Sequence, residues 1–247
     1  MYRINCSEVW GGFKNENLDA CSAALATSLF SGASDGGKGG DIYYFSVCQA
    51  DKLTRIALAD VVGHGERVSR VSEWLYESLR ARMNDGDNSE LLAELNQLTS
   101  DHGFDAITTA AVISFNASGS YVEYAYAGHP PMLVRRNGAA RWEPALLGGT
   151  PDRLADLPLG VEPRTRYTER TVQAAAGDRL FLYTDGVIET PGPGGELFGT
   201  QRLNALLDAH GSRSLPETKA AVLTALHEFA GGELNHDDVT LLAVELR

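Results

Sequence analysis

The order of the predicted strands and helices restricts the fold of this chain more than any other feature. Segments rich in β-branched and aromatic residues follow one another directly, as in strands joined by hairpins. They cover residues 42–48, 54–62, 107–115, 121–127, 132–136, 139–143, 168–173, 179–183 and 239–246. Helical patterns come in pairs, at 66–83 with 89–98 and at 200–210 with 215–231. Strict strand–helix alternation is absent, which disfavours a doubly wound parallel sheet and predicts an α+β protein with antiparallel sheets covered by helices.

Local turn and cap signals refine this pattern. Asn137-Gly138 is the strongest two-residue hairpin signal, and Ser89 is the predicted N-cap of the helix at 89–98. The Gly- and Pro-rich stretch 144–158 predicts a loop. Near the start of the chain, 8–12 fits a short strand and 18–30 fits a helix and a strand equally well. Residues 31–40 contain five glycines and predict a flexible turn region.

Length and charge limit the function classes. The chain has 247 residues, with 33 acidic against 21 basic side chains and a net charge of −12. This balance argues against binding to nucleic acid and to an anionic membrane surface. The three cysteines lack a Cys-x-x-Cys pair, so a disulfide framework and a zinc knuckle are disfavoured. No apolar run approaches about 18 residues and the N-terminus lacks a signal-peptide core. We therefore expect one cytoplasmic domain over 1–247.

Aspartates stand at the ends of four predicted strands, beside turn residues. They occur in Gly39-Gly40-Asp41, in Asp60 before residues 61–65, in Thr184-Asp185-Gly186 and in His236-Asp237-Asp238. Any one of them is explained by turn chemistry, since Asp beside Gly commonly starts or caps a turn. Carboxylates that converged without a cation would repel one another and become protonated. Oxygen-rich sites of this kind suit Mg²⁺ or Mn²⁺, and a pair of such ions can activate water and clamp a phosphoryl group.

Seven segments, taken in order, resemble a known family. They are GGDIYYF, LADVVGHG, YAGHPPMLVRRNG, LPLGV, GDRLFLYTDGVIET, GELFG and HDDVTLL. Together they resemble the SpoIIE-type (RsbU/RsbX-like) serine/threonine phosphatases of the PPM, or PP2C-like, superfamily, over about residues 39–247. The resemblance implies an αββα sandwich, in which two antiparallel sheets pack face to face, helices lie outside and metals bind at one end.

The resemblance also implies a set of site residues. Asp41 takes the place of the Gly-Gly-Asp aspartate, and Asp60 that of the aspartate that bridges both ions; these two are the predicted catalytic residues. The main-chain carbonyl of Val61, Asp185 and Asp237 complete the implied ligands. Positions expected beside the ligands or near the substrate are Gly63, His64, Gly186, His236 and Asp238.

The implied reaction is hydrolysis of a phosphoserine or phosphothreonine ester in one step by metal-activated water, with two Mn²⁺ or Mg²⁺ ions. The implied substrate is a phosphorylated bacterial regulatory protein, such as a STAS-domain anti-anti-sigma factor. In the family, the helices that follow the Asp60 loop can act as a switch that completes the metal site. Helices 66–83 and 89–98 are therefore the predicted docking place of an activating partner.

The chain departs from the family pattern at three places. Glu66-Arg67 stands where the family often has a small Ala-Ala pair that allows close helix packing. Val62 occupies the position of a histidine proposed as general acid in eukaryotic-type members, and His64 lies two residues further on. The phosphate-binding arginine of those members has no clear counterpart, because Lys38 is more simply explained as a solvated loop residue.

Two other functions compete with the phosphatase. A phosphoprotein-binding or scaffold module would keep the fold without turnover, although such a module has no need of the four aspartates. The segment 32–36 fits the Gly-x-Ser-x-Gly elbow of a serine hydrolase, with Ser34, Asp185 and His236 in triad order. That elbow requires a strand before it and a helix after it. His129, in a Pro-rich turn, is predicted to bond the backbone.

Overall fold

The computed structural model describes residues 2–34, 37–48, 52–63, 66–82, 87–103, 106–148 and 156–247. The strands in this part of the chain are β1 (Tyr2–Arg3), β2 (Val9–Lys14), β3 (Glu16–Cys21), β4 (Leu25–Gly32), β5 (Lys38–Cys48), β6 (Leu53–Val61), β7 (Thr108–Asn116), β8 (Tyr121–Ala127), β9 (Leu133–Arg135), β10 (Glu143–Pro144), β11 (Glu169–Gln173), β12 (Arg179–Tyr183) and β13 (Val239–Leu246). The helices are α1 (Glu66–Arg82), α2 (Asn88–His102), α3 (Asp185–Ile188), α4 (Gly199–His210) and α5 (Leu215–Ala230).

The strands form two sheets. The seven-stranded sheet has the order β1-β3-β4-β13-β12-β9-β10, and the six-stranded sheet has the order β11-β8-β7-β6-β5-β2. The described strand pairs are antiparallel apart from β1 and β3, which pair in parallel. The prediction of antiparallel sheets is confirmed, with this short pair as the exception.

Strand β5 shows how the layers are stacked. Successive side chains of a strand point to opposite faces of its sheet. Tyr43 and Phe45 lie in the core between the two sheets, together with Leu242 from the other sheet. Ile42 and Tyr44 point the other way and pack with the helices on the outer face. The strand is therefore buried on both faces, which explains its almost continuous apolar sequence.

Helices cover both outer faces. The apolar stripe of α1, which includes Val71 and Leu75, packs with α2 on the six-stranded sheet. Leu203 of α4 and Leu226 of α5 pack on the seven-stranded sheet. The layers follow as helix, sheet, sheet and helix, which confirms the predicted αββα sandwich. In the described residues, no helix has the length and apolar character that crossing a membrane requires.

The start of α2 corrects one prediction. Its N-cap is Asp87 and not Ser89, because the Asp87 side chain accepts the Glu90 N–H at 2.7 Å. The Ser89 hydroxyl donates to the same carboxylate at 2.8 Å. Helix α1 extends over most of its predicted length, to Arg82, and the predicted last residue, Met83, lies outside the described residues.

The first forty residues are more regular than their sequence indicates. The stretch 18–30, for which helix and strand were both open, contains the end of β3, a short turn at 22–24 and most of β4. The predicted turn region at 31–40 is too long, since β4 continues to Gly32 and β5 starts at Lys38. The predicted strand 139–143 is also wrong in extent, because β10 covers only Glu143–Pro144. The turn at Asn137-Gly138 is confirmed, with Gly138 at a φ of +77°.

Candidate metal centre

Two aspartates face each other across neighbouring strands of the six-stranded sheet. Asp41 in β5 pairs directly with Asp60 in β6. Asp41 is only 3% exposed. Like charges directly opposite each other destabilise a sheet, and burial adds the cost of removing charge from water. This pair therefore indicates a site whose charge is compensated by something other than the two strands.

The seven-stranded sheet places more carboxylates at the same end of the sandwich. Asp185 starts α3 directly after β12, and Asp237 and Asp238 directly precede β13, the neighbour of β12. The two sheets are joined here by a buried hydrogen bond, in which the Thr184 hydroxyl donates to Asp41 Oδ2 at 2.9 Å. The chain thus brings the ends of four strands, and their aspartates, to one place.

Asp238 uses its carboxylate to hold the surrounding backbone. One oxygen accepts the N–H of Ser34 at 2.8 Å, and the other accepts the N–H of Gly40. Its own N–H donates to Asp237 Oδ1 at 2.8 Å. Since Asp238 is 4% exposed and both its oxygens are engaged, it fixes the loop around the site.

Glycines allow the strand ends to approach so closely. A Cβ atom on Gly186 would lie 1.9 Å from the carbonyl oxygen of Asp238, far inside contact distance. A Cβ on Gly40 would lie 2.6 Å from the Val61 carbonyl oxygen and 3.4 Å from Asp60 Oδ1. The glycines in the Gly-Gly-Asp and Thr-Asp-Gly segments are therefore required by packing at the site.

The electrostatics of Asp41 reflect this crowding. Burial raises the pKa of Asp41 well above its usual range, and the charges of Asp238 and Asp185 raise it further. The hydrogen bond from Thr184 acts in the opposite direction, because it favours the ionised form. Thr184 therefore supports a charged Asp41, whereas the other surroundings of Asp41 oppose it.

Asp60 lies in the same field. Burial raises the pKa of Asp60 well above its usual range, followed by the charges of Asp41, Asp185, Asp237 and Asp238. The pKa of Asp237 is raised by burial and by its acidic neighbours as well. The aspartates thus repel one another, and a cation bound among them would stabilise their ionised forms.

The residues fit divalent ions that keep part of their water shell. Asp41 Oδ1 is buried and has no hydrogen-bond partner in the described part of the chain, so it is free to act as a ligand. Among the described residues, no three His, Cys, Asp or Glu side chains surround one point closely enough to hold an ion by themselves. Mg²⁺ commonly takes only one or two carboxylates and keeps several waters. Hydrated ions shared among the aspartates agree with both observations.

The other predicted site residues lie in different surroundings. His236 Nε2 donates to the carbonyl oxygen of Gly186 at 2.9 Å, so it holds the loop that carries Asp185. Gly63 follows the Asp60 strand with a φ of +110°, a conformation that favours glycine. His64 lies outside the described residues, so its role stays a prediction.

The serine-hydrolase reading is wrong in its local structure. Ser34 follows the end of β4, but the next element in the described chain is strand β5, where an elbow needs a helix. The Ser34 N–H is bound to Asp238. Lys38 is exposed as expected, but it starts strand β5 and is not a loop residue, and its ammonium lies 5.1 Å from the centre of the Phe13 ring. His129 bonds the backbone as expected, through Nδ1 and the Pro130 carbonyl oxygen at 2.9 Å.

Sequence reasoning missed the two threonines that support Asp41. Thr184 Oγ1 donates to Asp41 and accepts the Thr240 N–H at 3.0 Å. Thr240 in turn donates to Ser31 Oγ at 2.9 Å. Both threonines sit inside the segments that carry aspartates, Thr184-Asp185-Gly186 and Asp237-Asp238-Val239-Thr240. The available signal was a threonine directly after one apolar strand and another within a second, because a buried hydroxyl needs a partner.

Comparison with known proteins finds related chains. The family model of stage II sporulation protein E (SpoIIE) matches residues 50–247. The phosphoserine phosphatase RsbP of Bacillus subtilis is 24% identical over 215 residues, which is 84% of this chain and 49% of RsbP. The chain spans less than half the length of the curated relatives that it matches.

Solved structures show the same fold. The RsbU and RsbW domains of Rv1364c from Mycobacterium tuberculosis align with a TM-score of 0.77 and 25% identity, over 91% of this chain and 60% of that one. RsbX in complex with magnesium aligns with a TM-score of 0.68 and 15% identity, over 94% of this chain and 100% of that one. The four-layer sandwich is therefore shared with these proteins.

Proposed function

We propose that this chain, which belongs to the SpoIIE family, is a metal-dependent protein serine/threonine phosphatase. The observation that carries the proposal is the buried Asp41–Asp60 pair, which shares one space with Asp185 and Asp237. An uncompensated group of this kind is costly, and divalent cations are the partners that its oxygens suit. The similarity to RsbP, a phosphoserine phosphatase, supports the same reaction class.

Two divalent ions, Mg²⁺ or Mn²⁺, are the proposed cofactors. Asp41, Asp60, Asp185, Asp237 and the Val61 carbonyl would hold them. When bound, such ions neutralise phosphate charge and lower the pKa of water for attack on phosphorus. The magnesium in the RsbX structure supports this choice of ion.

The remaining groups of the site hold the aspartates and the neighbouring backbone in position. Thr184 keeps Asp41 oriented through its hydrogen bond, and the Thr240 N–H holds the Thr184 hydroxyl in turn. Asp238 fixes the backbone of Gly40, and His236 fixes the backbone of Gly186. This support holds the aspartates in place before a substrate arrives, so little reorganisation is needed during the reaction.

The proposed substrate is a phosphorylated regulatory protein, with a STAS-type anti-anti-sigma factor as the specific candidate. Support comes from the SpoIIE family membership and from the RsbU domain in the aligned mycobacterial structure. The net charge of −12 disfavours phosphorylated nucleic acids as alternatives.

Helices α1 and α2 are the proposed docking place of an activating partner. The Ser72 hydroxyl of α1 bonds the Gly40 carbonyl at 3.3 Å, and the Ser69 hydroxyl bonds the Lys38 carbonyl at 2.8 Å. A shift of α1 would therefore move the backbone directly before Asp41. Alanine substitutions on the exposed faces of α1 and α2 should alter activation by a partner without altering metal-free folding.

The main experiment measures release of phosphate from an aryl phosphate and from a phosphoserine peptide, with Mn²⁺, Mg²⁺ or a chelator. We expect activity that needs metal and is lost in Asp60→Asn. Glu228→Gln, an exposed carboxylate-to-amide change on α5, is the matched control and should retain activity. Metal binding without turnover in any condition would favour a silent binding module of this fold.

A further inference from the structure

Near its start, the chain crosses from one sheet to the other through a tight turn. Strand β1 belongs to the seven-stranded sheet, and β2 is an edge strand of the six-stranded sheet. Between them, residues 5–8 form a turn in which the Glu8 N–H donates to the Asn5 carbonyl oxygen at 3.0 Å. Cys6 lies in this turn and is exposed. The turn therefore presents a thiol to solvent beside the edge of the six-stranded sheet.

The turn meets strand β5 in a β-bulge. The Ser7 N–H donates to the Val47 carbonyl oxygen at 2.7 Å, and the Val47 N–H donates to the Glu8 carbonyl oxygen at 3.3 Å. Ser7 and Glu8 thus together oppose Val47, and the φ of Ser7 is +68°, the left-handed conformation of the first residue in this type of bulge. Because the two residues occupy one position in the pairing, Cys6 comes opposite the residue after Val47, which is Cys48.

Both cysteines belong to the outer face of the six-stranded sheet. Val47 packs in the core between the two sheets. Side chains alternate along a strand, so its neighbour Cys48 points to the outer face. On the opposite strand, Trp10 packs against the same core, so Val9 points outward. Cys6 follows on the outward side, because the bulge takes the place of one inward position.

The pairing at this point has the dimensions of a disulfide. The bulge contains the two hydrogen bonds of a bonded pair, so the next pair along the strands is a non-bonded one. In such a pair, the Cα atoms lie about 4.5 Å apart, within the range of about 4.4–6.8 Å that disulfides span. Burial raises the pKa of the Cys48 thiol, the Arg55 charge opposes this effect, and the Cys6 thiol raises the pKa further. The two thiols are therefore close enough to interact.

The third cysteine lies in different surroundings. Cys21 ends β3 in the seven-stranded sheet, and its side chain packs with residues of α4 and α5 on the outer face of that sheet. Both sheets therefore lie between the thiols of Cys21 and Cys48. This separation makes Cys21 a control for the pairing of the other two.

We propose that Cys6 and Cys48 form a redox-sensitive disulfide that joins the start of the chain to strand β5. Hydrogen peroxide transfers an oxygen atom to the exposed Cys6 thiolate, which becomes a sulfenic acid while the first water leaves. The Cys48 sulfur then attacks the Cys6 sulfur, the S–S bond forms and a second water leaves. Overall, the two thiols lose two electrons and two protons, and the peroxide is reduced to two waters.

The bond acts on stability and lies far from the metal centre. Cys48 is the last residue of β5, and Asp41 lies seven residues before it, which is about 23 Å along an extended strand. The bond closes a loop over residues 6–48, which restricts the unfolded chain and thereby stabilises the folded one. The proposal goes beyond the phosphatase function and does not depend on it.

The test treats dilute protein with a small excess of hydrogen peroxide and digests it with trypsin in the absence of reductant. Trypsin cleaves after Lys and Arg and places each cysteine in a separate peptide, namely 4–14 with Cys6, 15–38 with Cys21 and 39–52 with Cys48. We expect mass spectrometry to show 4–14 joined to 39–52, in protein that remains monomeric on a non-reducing gel. Oxidation should also raise the Tm by about 5 °C or more, and dithiothreitol should reverse both changes.

Serine variants connect these changes to the two cysteines. Cys6→Ser and Cys48→Ser should each abolish the joined peptide and the rise in Tm. Cys21→Ser, the matched control, should retain both. Melting curves with dithiothreitol show whether the three variants are folded before oxidation.

Peptides 4–14 and 39–52 that stay separate after oxidation would overturn the proposal. A bond from either peptide to 15–38, or only between two copies of the chain, would overturn it as well. A joined pair without a rise in Tm would show that the bond does not stabilise the fold. Phosphate release enters none of these measurements, so a failure of the phosphatase function leaves the result unchanged.

Discussion

At the scale of single residues, the site depends on contacts that tolerate no added atoms. Gly186 illustrates this, because the carbonyl of Asp238 occupies the place of its absent Cβ. Gly186 follows Asp185 in the chain, and Asp238 follows Asp237. A shift at the contact of Gly186 with Asp238 therefore displaces both proposed ligands. The glycine acts through the position of its neighbours, without any side chain of its own.

Gly186→Ala tests this dependence. The clash is with backbone, so the strand ends must move, and a displacement of about 1 Å commonly costs about a hundredfold in rate. We expect that loss in metal-dependent phosphate release. Gly232→Ala, where nothing lies within 4 Å of the added Cβ, is the control. Equal activity of the two variants would contradict the packing argument.

His129 makes stability depend on pH. Burial lowers its pKa to about 4, against smaller opposing effects of the Pro130 carbonyl and the nearby Asp185 charge. In the unfolded chain histidine titrates near 6.5, so below that pH the unfolded state binds the proton more readily. The contribution of neutral, buried His129 to the free energy of unfolding is complete above about pH 7. It is lost as the pH falls through about 6.5 towards 4, and the loss reaches about 2 kcal/mol at pH 5.

Urea unfolding of the wild type and of His129→Gln, in the presence of chelator, measures this effect. The difference between their unfolding free energies should change with pH between 7 and 5, and the wild type should lose more. Other titrating groups are present in both proteins, so their effects largely cancel. Parallel pH profiles would show that His129 does not titrate as described.

At the scale of elements, the N-cap of α2 lies two residues before the position that the sequence pattern predicted. Asp87 and Ser89 are both good N-cap residues, so local sequence rules allow either one. The structure selects Asp87, whose carboxylate also accepts from Ser89. Sequence alone could not resolve this, because both positions satisfy the same local rule.

Two substitutions separate these caps. Asp87→Ala should destabilise the protein by about 1 kcal/mol, because it leaves a helix N–H without its acceptor. Ser89→Ala removes only an exposed hydroxyl contact and should cost less than about 0.5 kcal/mol. Urea unfolding at pH 7 gives both values. The reverse order would restore Ser89 as the N-cap.

The remaining elements show where sequence patterns work and where they fail. The helices and central strands follow from periodicity, since their apolar faces are long and regular. Residues 18–30 were ambiguous because a strand buried on both faces and a helix share the same Ala- and Ser-rich composition. The aspartates followed from their motifs, but Thr184 and Thr240 did not, because their role depends on hydrogen bonds between distant strands.

At the scale of the whole molecule, the charge of the site opposes folding when no cation is bound. The raised pKa values of Asp41 and Asp60 mean that both are destabilising in their ionised form. A protein in this condition gains stability from any ligand that binds only the folded state. Function and metal-free stability are therefore in conflict at these residues.

Thermal unfolding of Asp60→Asn measures this conflict. With chelator at pH 7, the variant should melt at least about 3 °C above the wild type, since 1 kcal/mol corresponds to 2–4 °C at this chain length. With millimolar Mn²⁺, the wild type should gain more than the variant. A variant less stable than the wild type in chelator would show that repulsion at the site is weak.

In the four-layer arrangement, residues from both sheets contribute to the candidate metal centre. Asp41 and Asp60 belong to one sheet, while Asp185 and Asp237 border strands of the other. An ion shared among them would crosslink the two sheets at that end. Without the ion, the carboxylates at the same end repel one another, and the two sheets should separate there first by local opening. Hydrogen exchange at the ends of β5, β6, β12 and β13 would then slow together when the ion binds, as one cooperative unit.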